Sequence, residues 1–158
     1  MTKLKVIDLF AGCGGLSLGF KNAGFDVLSH VEIDETCCQT LINNQVNKEP
    51  VIKFDITKNN ELYDILRSKN IQKLDGIIGG PPCQAYSIAG RNKEENKMDE
   101  DPRNFLFESF DSLLQRFKPK FFVFENVTGM LSAKPFGLDI NETIFTSFRK
   151  SGYFVEKD

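Results

Sequence analysis

A cysteine follows two glycines and two prolines at the end of a short apolar run. The run contains Ile77 and Ile78, and Gly79–Pro82 separates it from Cys83. Glycine permits a tight exit from a strand, and proline fixes the backbone that presents the thiol. A single cysteine is most often a buried core residue, but a thiol displayed in this way is typical of a nucleophile. We therefore interpret Cys83 as a nucleophile.

A carboxylate follows a second apolar run in the same manner. Glu125 comes directly after the apolar residues Phe121–Phe124 and is the last residue of the strand that we predict there. In a parallel sheet of the usual order, this strand lies beside the one that leads to Cys83. We therefore expect Glu125 and Cys83 to lie close together, beyond the carboxyl ends of their strands.

A glycine-rich turn near the start of the chain predicts a second place for chemistry. Gly12, Gly14 and Gly15 follow the first predicted strand and run directly into a helix. Glycine lets a ligand approach the backbone closely, although such a turn before a helix is about as often purely structural. The spacing does not match G-x-G-x-x-G, which disfavours a pyrophosphate ligand.

Two carboxylates at the ends of the next strands indicate which kind of ligand the turn would bind. Glu32 stands about 20 residues after the turn, where an acidic residue accepts hydrogen bonds from ribose hydroxyls. Asp55 follows the third strand and predicts a partner for an amino group, while Ile56 and Ile33 offer apolar faces to a flat ring. Together these residues indicate an adenosyl group that carries a cationic sulfonium and no phosphate.

The elements that must position these residues alternate regularly. Short apolar runs followed by segments of helical period are typical of a doubly wound α/β fold with a mostly parallel sheet. The predicted strands are Val6–Phe10, Val27–Glu32, Val51–Phe54, Gly76–Gly79 and Phe121–Glu125, and a further strand begins at Tyr153–Val155. Helices are predicted around Leu16 and Phe20, around Cys37 to Ile42, around Leu62 to Leu66, from Phe105 to Phe117 with an end before Pro119, and from Ile140 to Phe148. Arg91–Asp101 has almost nothing to bury and predicts a surface loop.

Composition limits the other function classes. The 158 residues fit one domain, and a net charge of -2 is not that of a protein that coats nucleic acid by electrostatics alone. Four cysteines without a Cys-x-x-Cys pair and a single histidine, His30, predict free thiols and no metal site. The longest apolar stretch is too short for a membrane segment or a signal peptide, which predicts a cytoplasmic protein that does not bind membranes.

Three motifs make the pattern specific. Phe-Ala-Gly-Cys-Gly-Gly at 10–15, Pro-Pro-Cys-Gln at 81–84 and Glu-Asn-Val at 125–127 occur in this order, and with them the chain resembles the cytosine C5-methyltransferases. The resemblance implies a Rossmann-like, S-adenosylmethionine-dependent methyltransferase fold. It also implies that Cys83 adds to C6 of cytosine while Glu125 binds the N3 and amino edge. The methyl group then passes from S-adenosylmethionine to C5, leaving S-adenosylhomocysteine and 5-methylcytosine.

The same resemblance implies binding residues and a partner. The partner is double-stranded DNA with a flipped cytosine, and the enzyme is expected to belong to a restriction-modification system. Its expected location is a prokaryotic-type cytosol, in association with the nucleoid. The cofactor-binding residues are expected to be Phe10, Ala11, Gly12, Cys13, Gly14, Gly15, Glu32, Ile33, Asp55, Ile56, Gly80, Pro82 and Leu106. The nucleic-acid contacts are expected to be Gln84, Ser87 and Arg91.

The chain departs from the family pattern at its carboxyl side. Complete members continue with further strands, an Arg-containing motif, a target-recognition domain and a final helix. We therefore expect residues 1–158 to be the N-terminal part of the catalytic domain, with a sheet that is incomplete on the C-terminal side. The chain is then a truncation, or one subunit that a second polypeptide completes, and inactive alone. Two alternatives remain open, an RNA (tRNA) cytosine C5-methyltransferase and a non-catalytic cofactor-binding fragment.

Overall fold

Short apolar runs form the strands, and amphipathic segments between them form the helices. The computed structural model describes residues 2–44, 49–82, 105–126 and 139–156. The strands are β1 Lys5–Leu9, β2 Asp26–Glu32, β3 Val51–Lys53, β4 Gly76–Gly79 and β5 Phe121–Phe124. The helices are α1 Gly15–Asn22, α2 Glu35–Asn44, α3 Asn59–Ser68, α4 Leu106–Phe117 and α5 Ile140–Lys150.

The strands form one parallel sheet with the order β3-β2-β1-β4-β5. The chain moves outward from β1 to β3 and then returns to the other side of β1 with β4 and β5. This reversal confirms the predicted doubly wound α/β fold, and ligands in such folds bind beyond the carboxyl ends of the strands near the reversal. The residues that directly follow β1, β2, β4 and β5 therefore share one edge of the sheet.

Alternate residues of the strands bury on opposite faces of the sheet. Ile7 and Ile77 belong to the larger core cluster, which α3, α4 and α5 cover with residues such as Leu66. Val6 and Ile78 belong to a smaller cluster on the other face, against which Phe20 of α1 packs. A parallel sheet covered on both faces explains why its strands are almost continuously apolar.

Aromatic rings fix the position of β5 against the helices. Phe110 of α4 lies 5.2 Å from Phe124 and 6.1 Å from Phe122, measured between ring centroids. Phe148 of α5 lies 4.7 Å from Phe122 and 5.2 Å from Phe124. These edge-to-face contacts add to the stabilisation that burial of the rings provides.

One predicted element is wrong and one lies outside the described residues. Tyr153–Val155 is not a strand, because it makes no ladder hydrogen bonds with β5. Side-chain contacts of Tyr153 hold this segment instead. The Tyr153 hydroxyl donates to the carbonyl oxygen of Pro119 at 2.9 Å, its ring lies 5.2 Å from that of Phe122, and Phe154 is 86% exposed. The predicted surface loop Arg91–Asp101 lies outside the described residues.

The other predicted elements occur with ends that differ by a residue or two. α4 begins at Leu106 rather than Phe105, and it ends before Pro119 as expected, with Lys118 in a left-handed conformation at φ 46°. Among the parts of the chain that the structure describes, every helix is too short or too polar to span a bilayer.

Candidate functional site

The turn between β1 and α1 depends on glycine. Gly12 has φ 53° and Gly14 has φ 89°, a region that residues with a Cβ rarely adopt. A Cβ at position 14 would also lie 2.6 Å from Cδ2 of Leu41, so α2 packs directly against the turn. Phe10 has a positive φ of 57° as well, although it is not glycine. A non-glycine residue held in this conformation is characteristic of functional turns.

Glu32 ties the glycine turn to the segment that follows β2. Its Oε2 accepts a hydrogen bond from the Gly12 amide at 2.7 Å, and its Oε1 accepts from the amides of Ile33 at 2.8 Å and Asp34 at 2.9 Å. The predicted ribose-binding carboxylate therefore also holds together the backbone around it. A carboxylate offers about four acceptor positions, so capacity for a hydroxyl donor remains.

Asp55 follows β3 at the same edge of the sheet. Its Oδ1 accepts hydrogen bonds from the Thr57 hydroxyl at 2.7 Å and the Thr57 amide at 3.0 Å, and these bonds hold the pKa of Asp55 below its usual range. The two predicted apolar faces differ in accessibility. Ile33 is 61% exposed, whereas Ile56 is only 6% exposed and belongs to the core cluster.

Glu125 lies against the segment that leads to Cys83. β4 and β5 are neighbours, and the Glu125 amide donates to the Gly79 carbonyl oxygen at 2.9 Å. A Cβ at position 80 would lie 2.5 Å from Oε2 of Glu125, so this carboxylate lies directly against the glycine. Pro81 is buried and Pro82 is exposed. The predicted adjacency of the two strands is thus confirmed, while Cys83 itself lies outside the described residues.

The structure describes only some of the other predicted site residues. Leu106 is the first residue of α4 and packs half-buried against the core cluster. The predicted nucleic-acid contacts Gln84, Ser87 and Arg91 lie outside the described residues. The described parts of the chain contain no group of three or more His, Cys, Asp and Glu side chains that could hold a metal ion.

Sequence reasoning missed a buried polar pair beneath the turn. Asp8 of β1 and His30 of β2 are register partners, each is 1% exposed, and Oδ2 of Asp8 lies 4.0 Å from Nδ1 of His30. Burial raises the pKa of Asp8 to about 7 and lowers the pKa of His30 to about 4. The Ser17 hydroxyl, which lies close to Asp8, donates to the Gly14 carbonyl oxygen. Ser17 partly opposes the rise in the pKa of Asp8, whereas within the described residues neither ring nitrogen of His30 has a hydrogen-bond partner.

This pair had one signal in the sequence. Asp8 and His30 each lie within a mostly apolar run, two residues before Phe10 and Glu32 respectively. Polar groups at such positions must be buried, but only the strand register shows that the two side chains face each other.

Two thiols also come together, although they were predicted only to be free. Cys13 lies in the glycine turn and Cys37 lies in the first turn of α2, and their Sγ atoms are 4.0 Å apart. Both are free cysteines. The two residues are 24 positions apart in sequence, and their spacing gives no indication of this contact.

Two candidate binding places lie at one edge of the sheet. One combines the glycine backbone with the Glu32 and Asp55 carboxylates and the exposed face of Ile33. The other places the Glu125 carboxylate beside the backbone that leads to Cys83. Chemically, the first suits a cationic nucleoside and the second suits a base with adjacent donor groups.

Comparison with known proteins agrees with this arrangement. The sequence profile of the family described as C-5 cytosine-specific DNA methylase matches residues 4–158. The chain is 40% identical over 152 residues to the type II methyltransferase M.FnuDI of Fusobacterium nucleatum, covering 96% of this chain and 40% of that protein. It is 43% identical over 153 residues to the type II methyltransferase M.DdeI of Desulfomicrobium norvegicum, covering 96% of this chain and 35% of that protein. The chain thus spans about two-fifths of the length of these relatives.

Solved structures show the same architecture. A prophage-encoded E. coli protein, described as a DNA modification methyltransferase, superposes with a TM-score of 0.72 at 37% identity, covering 94% of this chain and 38% of that one. The DNMT2 structure from Spodoptera frugiperda superposes with a TM-score of 0.63 at 19% identity, covering 94% of this chain and 41% of that one, which supports the fold alone. Both the fold and the three motifs lead to the same assignment, and the chain belongs to the C-5 cytosine-specific DNA methylase family.

Proposed function

We propose that this chain supplies the cofactor-binding and base-activating part of a DNA cytosine C5-methyltransferase of a restriction-modification system. The observation that carries the proposal is the contact between Glu125 and Gly80. It sets a carboxylate against the glycine three residues before Cys83, at the same sheet edge as the glycine turn. Residues 1–158 then correspond to the N-terminal part of the catalytic domain.

The cofactor that fits the first binding place is S-adenosylmethionine, which supplies a methyl group on a cationic sulfonium. The glycine turn at 10–15 and the Glu32–Asp34 segment contain no Lys or Arg that would neutralise a phosphate, and the carboxylates of Glu32 and Asp34 would repel one. At Gly12 no described atom lies within 4 Å of the position that a Cβ would occupy, so the backbone is open to a ligand. Glu32 would accept the ribose hydroxyls, Asp55 the adenine amino group, and Ile33 would cover the ring.

The remaining predicted cofactor contacts follow the same edge. The backbone of Phe10 to Gly15 would line the methionine side of the ligand, and Gly80, Pro82 and Leu106 would close the side towards the target base. Ile56 would contribute only the small part of its surface that is exposed, since it is otherwise buried in the core.

Cytosine needs activation because its C5 is too poor a nucleophile to accept a methyl group directly. Addition of the Cys83 thiolate to C6 makes C5 enamine-like, and Glu125 holds the N3 and amino edge so that N3 can be protonated. Once the methyl group that S-adenosylmethionine supplies is on C5, loss of the C5 proton and elimination of the Cys83 thiol would release 5-methylcytosine. The target must be flipped out of the duplex, and Gln84, Ser87 and Arg91 are the proposed contacts with DNA.

Covalent trapping tests the reaction. The complete product of the reading frame that contains this chain is incubated with S-adenosylmethionine and duplex DNA carrying 5-fluorocytosine, whose fluorine blocks the final elimination. We expect a denaturant-resistant protein–DNA adduct that Cys83→Ser does not form, and no adduct with tRNA carrying the same base. Absence of the adduct from a protein that binds S-adenosylhomocysteine would contradict base activation, and an adduct with tRNA alone would assign an RNA substrate.

Substitution of Glu32 tests the cofactor site separately. Glu32→Gln keeps one acceptor oxygen but removes the charge that would receive the ribose hydroxyls. Hydrogen bonds to charged groups contribute about 1.5–3 kcal/mol, so we expect affinity for S-adenosylhomocysteine to fall about 10- to 100-fold by calorimetry. Glu35→Gln is the matched control, because Glu35 is exposed, lies three residues away and pairs with Lys53 at 2.7 Å. Equal affinities of Glu32→Gln and Glu35→Gln would exclude Glu32 as a ligand contact.

A further inference from the structure

Two thiols meet at the entrance to the proposed cofactor site. Cys13 is exposed and Cys37 is partly exposed, and their Sγ atoms are 4.0 Å apart. Both residues therefore have surface that small molecules can reach. Neither thiol has a role in the methyl transfer proposed above.

Both cysteines are coupled to Glu32 through the backbone. Cys13 follows Gly12, whose amide donates to Oε2 of Glu32 at 2.7 Å. On the other side, the Cys37 amide donates to Oδ1 of Asp34 at 2.9 Å, and the Asp34 amide donates to Oε1 of Glu32. A covalent link between the two sulfurs would join the glycine turn to α2 across the carboxylate that receives the ribose.

We propose that Cys13 and Cys37 form a reversible disulfide that closes the cofactor site. This inference rests on the proposed function for the identity of the cofactor, but not for the disulfide itself. A disulfide bond is about 2.05 Å long, so the sulfurs must approach each other by about 2 Å. Cys13 can supply this movement because it is exposed and is flanked by Gly12 and Gly14.

The reaction needs an oxidant, and the proposed one is a low-molecular-weight disulfide. The Cys13 thiolate attacks one sulfur of the oxidant, forming a mixed disulfide and releasing one thiolate. The Cys37 thiolate then attacks the sulfur of Cys13, forming the protein disulfide and releasing the second thiolate. Two protein thiols are oxidised, one disulfide is reduced to two thiols, and the two protons pass to the released thiolates.

The surroundings assign different roles to the cysteines. Desolvation, followed by the neighbouring Cys13 thiol and the Asp34 carboxylate, raises the pKa of Cys37 to about 11. Cys37 is therefore mostly protonated at neutral pH, so it attacks second, after giving up its proton to a released thiolate, while the more exposed Cys13 meets the oxidant first. Cys38 is only 3% exposed, its Sγ lies 3.7 Å from the Glu32 carbonyl oxygen, and burial raises its pKa, so it does not compete.

Oxidation of the full chain with glutathione disulfide tests the inference. We expect peptide mass mapping under non-reducing conditions to find a Cys13–Cys37 disulfide that dithiothreitol reverses, in the wild type and in Cys83→Ser. We expect oxidation to lower the affinity for S-adenosylhomocysteine at least 10-fold, and bound S-adenosylhomocysteine to slow the oxidation. Cys37→Ser should bind the ligand as the reduced wild type does and should lose the sensitivity to oxidation.

The outcomes separate this inference from the proposed function. A different pairing, an absent intramolecular disulfide or an unchanged affinity after oxidation would overturn the inference. If the reduced chain did not bind S-adenosylhomocysteine, the proposed cofactor and its blockage would both fail, whereas a mapped Cys13–Cys37 disulfide would still support the bond itself.

Discussion

Replacing Asp8 with asparagine is expected to make the protein about 2 kcal/mol more stable at pH 8 than at pH 5, through the titration of His30 that remains. Replacing His30 with glutamine is expected to do the opposite, with a loss of about 2–3 kcal/mol over the same range. The two variants thus differ in pH dependence by about 4–5 kcal/mol. In the wild type the two contributions nearly cancel, because burial shifts the pKa values of Asp8 and His30 in opposite directions by similar amounts.

The sign for Asp8 follows from its raised pKa. Burial raises the pKa from 3.8 to about 7, so between these values the folded protein binds a proton that the unfolded chain has released. Stability from this group is complete below pH 3.8 and is lost as the pH rises through 7. An asparagine cannot ionise, so Asp8→Asn removes this loss.

The sign for His30 is opposite. Burial lowers its pKa from 6.5 to about 4, so between these values the unfolded chain binds a proton that the folded protein does not. Stability from this group is complete above pH 6.5 and is lost as the pH falls through 4. The stability of Asp8→Asn therefore rises between pH 5 and pH 8.

Urea unfolding at pH 5 and pH 8 measures how the free energy of unfolding of each variant changes with pH. The variants can be compared directly with the wild type, because the other titrating groups are common to all of them. Asp64→Asn is the matched control, since Asp64 is exposed on α3, and it should follow the wild type. If Asp8→Asn and His30→Gln showed the same pH dependence, the two side chains would not be the opposing buried groups that the structure indicates.

The sequence predicted the elements of the fold because their signals are local. The strand at Gly76–Gly79 has the bounds that were predicted, and the helix around Leu62 and Leu66 has its apolar residues Leu62, Ile65 and Leu66 three and four positions apart. Tyr153–Val155 has the same apolar, β-favouring character, but a strand also needs a neighbour to pair with. That requirement is non-local, and strand propensity alone cannot show whether it is met.

The same distinction between local and non-local signals applies to the site. Glu32 and Glu125 were predicted at strand ends from their position after apolar runs, and the structure places them there. The bond from Gly12 to Glu32, the contact of Gly80 with Glu125 and the approach of Cys13 to Cys37 join residues that are 20 or more positions apart. Such contacts depend on the twist and register of the sheet, which no local pattern specifies.

Phe110→Ala is expected to destabilise the protein by about 3–5 kcal/mol, and it is the core substitution with the most direct consequence for the site. Phe110 is fully buried in α4, and its ring contacts Phe122, Phe124 and Phe148. Removal of the ring leaves a cavity directly behind β5, which the surrounding rings can fill only in part. Because domains are stable by about 5–15 kcal/mol, a loss of this size is a large share of the total.

Thermal and urea unfolding of three variants would measure this effect. Phe110→Leu fills part of the cavity and should lose roughly half as much stability as Phe110→Ala. Phe154→Ala is the matched control, since Phe154 is 86% exposed and its removal should change stability by less than about 0.5 kcal/mol. Equal stabilities of Phe110→Ala and Phe154→Ala would show that this aromatic cluster does not fix β5. The consequence for function follows from the chain itself, because Glu125 comes directly after Phe124, and a strand that shifts into the cavity moves the carboxylate away from Gly80.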